Sequence, residues 1–251
     1  MARVLPRRLC LAAVLATGVV AVLGSSAQAN TVTVGSQLTA PGFAPAPLPA
    51  AATRTNFVLP APATGISPVD GTVRSWKFIG NGGPFAPRVL RATGGFALTG
   101  AGTGAPANAV APPAVSGPFT LALPIKRGEF FGVDVGPGPS SIHRALTAGA
   151  TYFDFAPPLT DGGAGVAPTT VATGEVAIQA TVRYCVVPKL KGKTGKAARQ
   201  ALSAADCTLG DVNKSKKRRP VKSVLTQSVK AGTSISDTAE VDFKISKKKK
   251  S

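Results

Sequence analysis

The feature that most constrains this chain is its punctuation. Between Asn30 and Tyr184, glycine and proline break a weakly charged, Ala- and Thr-rich sequence into short runs. Within those runs apolar and polar residues alternate. Phe119, Leu121 and Leu123 alternate with Thr120 and Ala122. Phe131, Val133 and Val135 share a face, and Val176, Ile178, Ala180 and Val182 alternate with Ala177, Gln179 and Thr181. A period of two puts each apolar set on one side of an extended strand. Weaker runs surround Phe57 to Leu59, Thr72 to Ile79, Arg88 to Arg91, Phe96 to Leu98 and Tyr152 to Phe155. About eight such strands predict an antiparallel, jelly-roll-like β-sandwich. Pro68-Val69-Asp70-Gly71 and Lys126-Arg127-Gly128-Glu129 read as tight turns with glycine where the turn needs it. The proline-rich stretch 40–52 excludes a helix or central strand and reads as a surface loop or extended linker. Residues 100–113 and 157–168 read as further, mobile loops.

The writing changes at Cys185. Pro188 disfavours helix at Val187, Gly192 permits a turn, and Thr194 is a helix-capping residue. From Ala198, Ala201, Leu202 and Ala205 follow the spacing of one apolar helical face. Downstream, Ser223–Val229 is rich in strand formers, and Ala239, Val241, Phe243 and Ile245 alternate with Glu240, Asp242, Lys244 and Ser246. One helix packed on a small sheet follows. Val187-Pro188 with Gly192, an alanine-rich helix ending in Leu209-Gly210, and Val224-Leu225-Thr226-Gln227-Ser228 leading to Ala231-Gly232-Thr233 resemble a PASTA domain. That module is found outside the membrane on bacterial penicillin-binding proteins and serine/threonine kinases. Val229 stands where the family usually has proline. The resemblance implies a one-helix, three-stranded α+β module that binds peptidoglycan or its stem peptides. Ser67 to Val73, Trp76 and Leu123 to Glu129 resemble an uncharacterised β-sandwich domain of exported proteins of high-GC Gram-positive bacteria, which brings no activity with it. The fold expected is therefore mostly β, a sandwich at 30–183 followed by a PASTA-like module at 184–247 and a lysine tail at 248–251.

Residues 1–29 read as a secretory signal, with Arg3, Arg7 and Arg8 ahead of the apolar run Leu9–Leu23 and a small-x-small site at Ala27-Gln28-Ala29. Removing that segment removes Cys10 and leaves Cys185 and Cys207, which are expected to form a disulfide outside the cell. Closing a loop of this length stabilises a small domain by roughly 3 kcal/mol. A metal site would need further ligands, and the single histidine, His143, lies far away in sequence. No later stretch is long and apolar enough to span a bilayer.

Charge is concentrated at the C-terminal end. Over residues 184–251, 17 Lys and Arg against 5 Asp and Glu give +12 of the chain's +18. Lys214, Lys216, Lys217, Arg218, Arg219 and Lys222 are the candidate contacts for a polyanion, read as a loop between two strands, with Lys247–Lys250 as a flexible tail. Export makes nucleic acid an unexpected partner.

Catalytic patterns are weak. His143 lacks the flanking residues of a hydrolase motif and reads as a surface or loop histidine. Asp70, Glu129, Asp134, Asp154, Asp161 and Glu175 are scattered, and a glycosidase needs two carboxylates brought together by the fold. Trp76 shares a strand face with Phe78 and reads as core, like most of the phenylalanines. No cofactor is expected. The chain reads as a secreted, non-catalytic protein whose PASTA-like module binds peptidoglycan or wall polyanions and whose sandwich is a binding or structural domain. The alternative is a carbohydrate-active enzyme with a catalytic jelly roll.

Overall fold

The computed structural model describes residues 30–40, 42–110 and 114–249. The signal segment expected at 1–29 lies outside the described residues. In chain order the elements are β1 (Asn30–Gly35), β2 (Ala52–Val58), β3 (Gly71–Phe78), β4 (Gly80–Asn81), β5 (Ala86–Gly94) and β6 (Ala97–Thr103). Next come β7 (Ser116–Ile125), β8 (Phe130–Val135), β9 (Ser141–Ile142), β10 (Arg144–Ala145), β11 (Thr151–Phe155), β12 (Thr170–Thr173) and β13 (Glu175–Val176). Then follow β14 (Ile178–Val186), α1 (Gly195–Ala204), β15 (Thr208–Arg219), β16 (Val224–Gln227), β17 (Ser234–Ser236) and β18 (Glu240–Lys248).

The antiparallel pairings nest inside one another. β1 pairs with β14, β2 with β8, β3 with β7 and β5 with β6. This is one long hairpin rolled up, with successive pairs falling in opposite sheets. β3 joins β14 to give the order β1-β14-β3-β7, and β5 joins β8 to give β12-β11-β2-β8-β5-β6. The jelly roll expected from the strand pattern is therefore present. The period-two residues meet between the sheets, where Val73, Trp76, Phe78, Phe131, Val133, Val135, Ile178, Ala180 and Val182 form the main core.

Several local expectations need correction. Most of the phenylalanines fill core, as read, but in more than one cluster. Leu90, Leu98, Phe130, Phe153, Phe155 and Leu159, with Phe57 against them, form a second cluster. Their strand neighbours Val89, Phe131 and Tyr152 lie in the main core, so the larger sheet is buried on both faces. Part of residues 157–168 packs there: Leu159 belongs to the second cluster, and Val166 exchanges backbone hydrogen bonds with Leu98. Of 100–113, Gly100–Thr103 belongs to β6 and Ala107 pairs with Phe85. Of the stretch 40–52, residues 42–51 form a loop stitched to the body, not a linker, because Ala44 exchanges backbone hydrogen bonds with Arg144 and Ala46 accepts one from the buried Arg54. Gly71 opens β3 without a positive φ. A Cβ there would stand 2.5 Å from Val182 Cγ1 and 2.7 Å from the Arg183 carbonyl oxygen, so glycine serves close packing. Gly128, at φ 85°, is the turn glycine that was expected.

The C-terminal module has its own core of Val187, Leu190, Ala198, Leu202, Val224, Val241 and Phe243 with the two cysteines. Thr194 caps α1, its side chain accepting from the Ala197 amide. The helix stops at Ala204, earlier than Leu209-Gly210. Asp206 takes a left-handed conformation (φ 53°), while the amides of Asp206 and Cys207 donate to Ser203 and Leu202. That is a Schellman ending with aspartate in the place glycine usually fills. The sheet order is β15-β18-β16, with β15 parallel and β16 antiparallel to β18. β17 leaves this sheet and pairs with the end of β14, Tyr184 to Ser236 and Val186 to Ser234. β14 thus runs from the jelly roll into the C-terminal module without interruption.

Candidate functional site

The carboxylates weighed for catalysis are held by partners of their own. Asp154 pairs with buried Arg54 at 2.7 Å. Arg88 draws Asp134 and Asp161 together, at 2.7 and 2.8 Å, as two arms of one ion-pair cluster. Glu129 pairs with Arg91 at 2.8 Å and accepts from the Lys126 amide, and Asp70 accepts from the Arg127 amide at 2.8 Å. Glu175 is buried; burial raises its pKa above 4.5, against hydrogen bonds from Thr147 and Ser36 that favour its charged form. It lines a groove of about 380 Å³ beside Pro60, Pro62 and Leu146.

His143 is not a surface residue. It is 3% exposed between β9 and β10, with Nε2 3.2 Å from the Asn81 side-chain oxygen. Its amide donates to Ile79 and its carbonyl accepts from Ala177, so the five-residue run after Ser140 is threaded into the body. Asn81 Oδ1 also accepts from Ser141 and its Nδ2 donates to Pro139, which assigns Nε2 as the protonated, donating nitrogen. Burial lowers the His143 pKa below 6.5. Trp76 is buried, as read, against Phe78 at 4.9 Å between ring centroids.

The C-terminal module gathers the remaining candidates. Cys185 at the end of β14 and Cys207 before β15 are joined by a disulfide, with Cα atoms 5.0 Å apart. Gln227 at the end of β16 ties the module's first segment down: its oxygen accepts from the Leu190 amide, and its nitrogen donates to the Pro188 and Val229 carbonyls. On the sheet beside it, a shallow groove of about 180 Å³ is lined by Asn213, Thr226, Ser228, Asp242 and Lys244 among others. The segment before the helix, the capped helix, the tying glutamine and the sheet are now all in place. Residues 186–247 match the PASTA domain. No curated protein and no solved structure matches the chain.

The candidate polyanion contacts of the PASTA module are not gathered in a loop. Lys214, Lys216, Lys217, Arg218 and Arg219 belong to β15, and only Lys222 lies in the connection to β16. Nor do Lys247 and Lys248 belong to a flexible tail, since they are the last residues of β18. Register brings the two sets together, with Arg218 opposite Lys247 and Arg219 opposite Lys248. All of these side chains are exposed. The backbone overrides side-chain repulsion here, the Lys249 amide donating to the Arg219 carbonyl at 2.8 Å.

The module is fastened to the jelly roll at its other end. Arg74 of β3 donates twice to Asp237 Oδ2, at 2.9 and 2.6 Å, and Arg183 of β14 donates to Asp206 at 2.7 Å. Thr72 and Ser236 share a hydroxyl hydrogen bond of 2.6 Å. These docking residues carry no motif. The one visible signal is Arg183, an arginine inside an otherwise regular strand just before Cys185. Among the described residues, no helix is long and apolar enough to cross a membrane, and no group of three or more His, Cys, Asp or Glu is placed to hold a metal.

Proposed function

We propose that this is a secreted, non-catalytic, cell-wall-associated protein in which the PASTA module binds peptidoglycan or wall polyanions and the jelly roll is a binding or structural domain. The observation that carries the reading is the match of residues 186–247 to the PASTA domain on a module with a complete core of its own. PASTA modules point to cell-wall-related binding, and a disulfide between Cys185 and Cys207 fits an oxidising, extracellular setting. The signal segment at 1–29 supplies the route out of the cell. Asp70, Glu129, Asp134, Asp154 and Asp161 of the jelly roll support a non-catalytic role, because each is held by a structural cation or a backbone amide.

The test is a pull-down of the chain from residue 30 onward on purified peptidoglycan, with and without attached anionic polymer, at low and high salt. The jelly roll has to be included, because β17 pairs with β14. Retention on bare peptidoglycan at high salt is the expected sign of specific wall recognition. Absence of retention on either preparation at low salt overturns the reading.

A further inference from the structure

The charges of the PASTA module are sorted along its sheet. Its five carboxylates, Asp206, Asp211, Asp237, Glu240 and Asp242, all precede β15 and β18 or lie in their first halves. That pole faces the jelly roll, where Asp206 and Asp237 meet Arg183 and Arg74. From Lys214 in β15 and Lys244 in β18 onward neither strand carries an acid. Because β15 and β18 are parallel, both cationic halves end at the same far pole. The helix starts there too, since Gly195 lies beside Ile245, and α1 has no acid in its first turn. Lys193, whose carbonyl accepts from the Val224 amide, brings a further cation to that end.

Beyond Ser246, whose amide donates to Ser223, the β15·β18 ladder has no third strand among the described residues and carries cations on both faces. Like charges held directly opposite one another are destabilising, and a surface that only confers solubility has no need to set Arg218 against Lys247 and Arg219 against Lys248. Side chains on one face of a strand repeat about every 6.6 Å, and the arginine fork matches phosphate oxygens better than it matches isolated water. We infer that the far pole of the PASTA module is a binding site for a linear, flexible polymer that carries phosphate anions along its backbone and lies along the β15·β18 ribbon, with the jelly roll held on the side away from it. The inference rests on the wall reading only for where such a polymer is met.

The test uses fluorescently labelled long-chain polyphosphate, the chain from residue 30 onward, and two variants that each remove four positive charges. R218S/R219S/K247S/K248S strips the ribbon. K126S/R127S/K189S/K230S strips exposed cations elsewhere whose side chains form no ion pair among the described residues. Melting curves establish that both are folded. The ribbon variant is expected to lose affinity about tenfold or more and to flatten the slope of log affinity against log salt by roughly 3, while the control changes less than about twofold. Equal losses in the two variants overturn the inference in favour of net charge alone, and no binding by the unmodified chain overturns it outright. Tighter binding of a DNA duplex of equal charge also overturns it, in favour of a nucleic-acid ligand. Polyphosphate binding with no retention on peptidoglycan leaves the ribbon site standing and removes the wall reading, and the reverse result removes only the ribbon site.

Discussion

At the scale of single residues, one position serves close approach and two hold buried titratable groups. Gly71 lies under Val182 and the Arg183 carbonyl, so Gly71→Ala forces a backbone shift where β3 meets β14. A loss of about 1–3 kcal/mol in chemical denaturation is expected, and an unchanged midpoint would show that the strands part easily. His143 and Glu175 give opposite pH signatures. Burial holds the His143 pKa below 6.5, so its contribution to stability is complete above 6.5 and is lost as pH falls through the lowered folded value. Burial raises the Glu175 pKa above 4.5, so its contribution is complete below 4.5 and is lost as pH rises through the raised folded value. His143→Gln retains a donor for Asn81 without a titrating ring. Urea midpoints from about pH 7.5 down to about pH 5.5 should fall less steeply in this variant than in the unmodified chain; parallel curves would assign the acid sensitivity to another group.

At the scale of elements, the β15·β18 ribbon makes its own prediction. Lys247→Glu sets a carboxylate opposite Arg218 in place of a like charge, so it should raise the midpoint of unfolding by about 0.2–1 kcal/mol at low salt, and added salt should erase the gain. A loss of stability instead would mean that the ribbon cations do not repel in the folded chain. The same ribbon marks where sequence legibility ends. Strands with period-two apolar residues, such as Ile178 to Val182, announce themselves because burial on one side imposes the pattern. The cationic half of β15 has no apolar side, its strand state comes from backbone bonds to β18, and composition alone reads it as loop. The histidine run at 141–145 fails for a related reason, being too short to show a period. Of the candidate site, the cysteine pair and the individual cations are legible, but the gathering of the cations at one pole depends on a parallel register between segments some thirty residues apart. The jelly-roll strand order follows from nested pairing, which no local pattern encodes.

At the scale of the whole molecule, the question is how firmly the jelly roll and the PASTA module are joined, since a fixed junction is what keeps the cationic pole facing outward. Three kinds of tie meet at one place: the shared strand β14 with β17, the disulfide at Cys185 and Cys207, and the ion pairs of Arg74 and Arg183. The arginines are 36% and 38% exposed, so the attraction itself is screened and contributes little, about 0.2–1 kcal/mol for each pair. Asp237 is different, because its side chain is 5% exposed and receives both hydrogen bonds from Arg74. Removing the arginine leaves a buried carboxylate with Arg183 Nε 3.7 Å away as its remaining cation, whereas removing the carboxylate's charge leaves a solvated arginine. Arg74→Ala should therefore cost more stability than Asp237→Asn, and the double variant should cost less than the two single losses added together. Hydrogen exchange at Ser234–Ser236 should rise furthest in Arg74→Ala if the junction loosens there first. Equal and additive losses from the two single variants would mean that the charges at the junction do not act as a pair, leaving β14 and the disulfide to hold the orientation of the module.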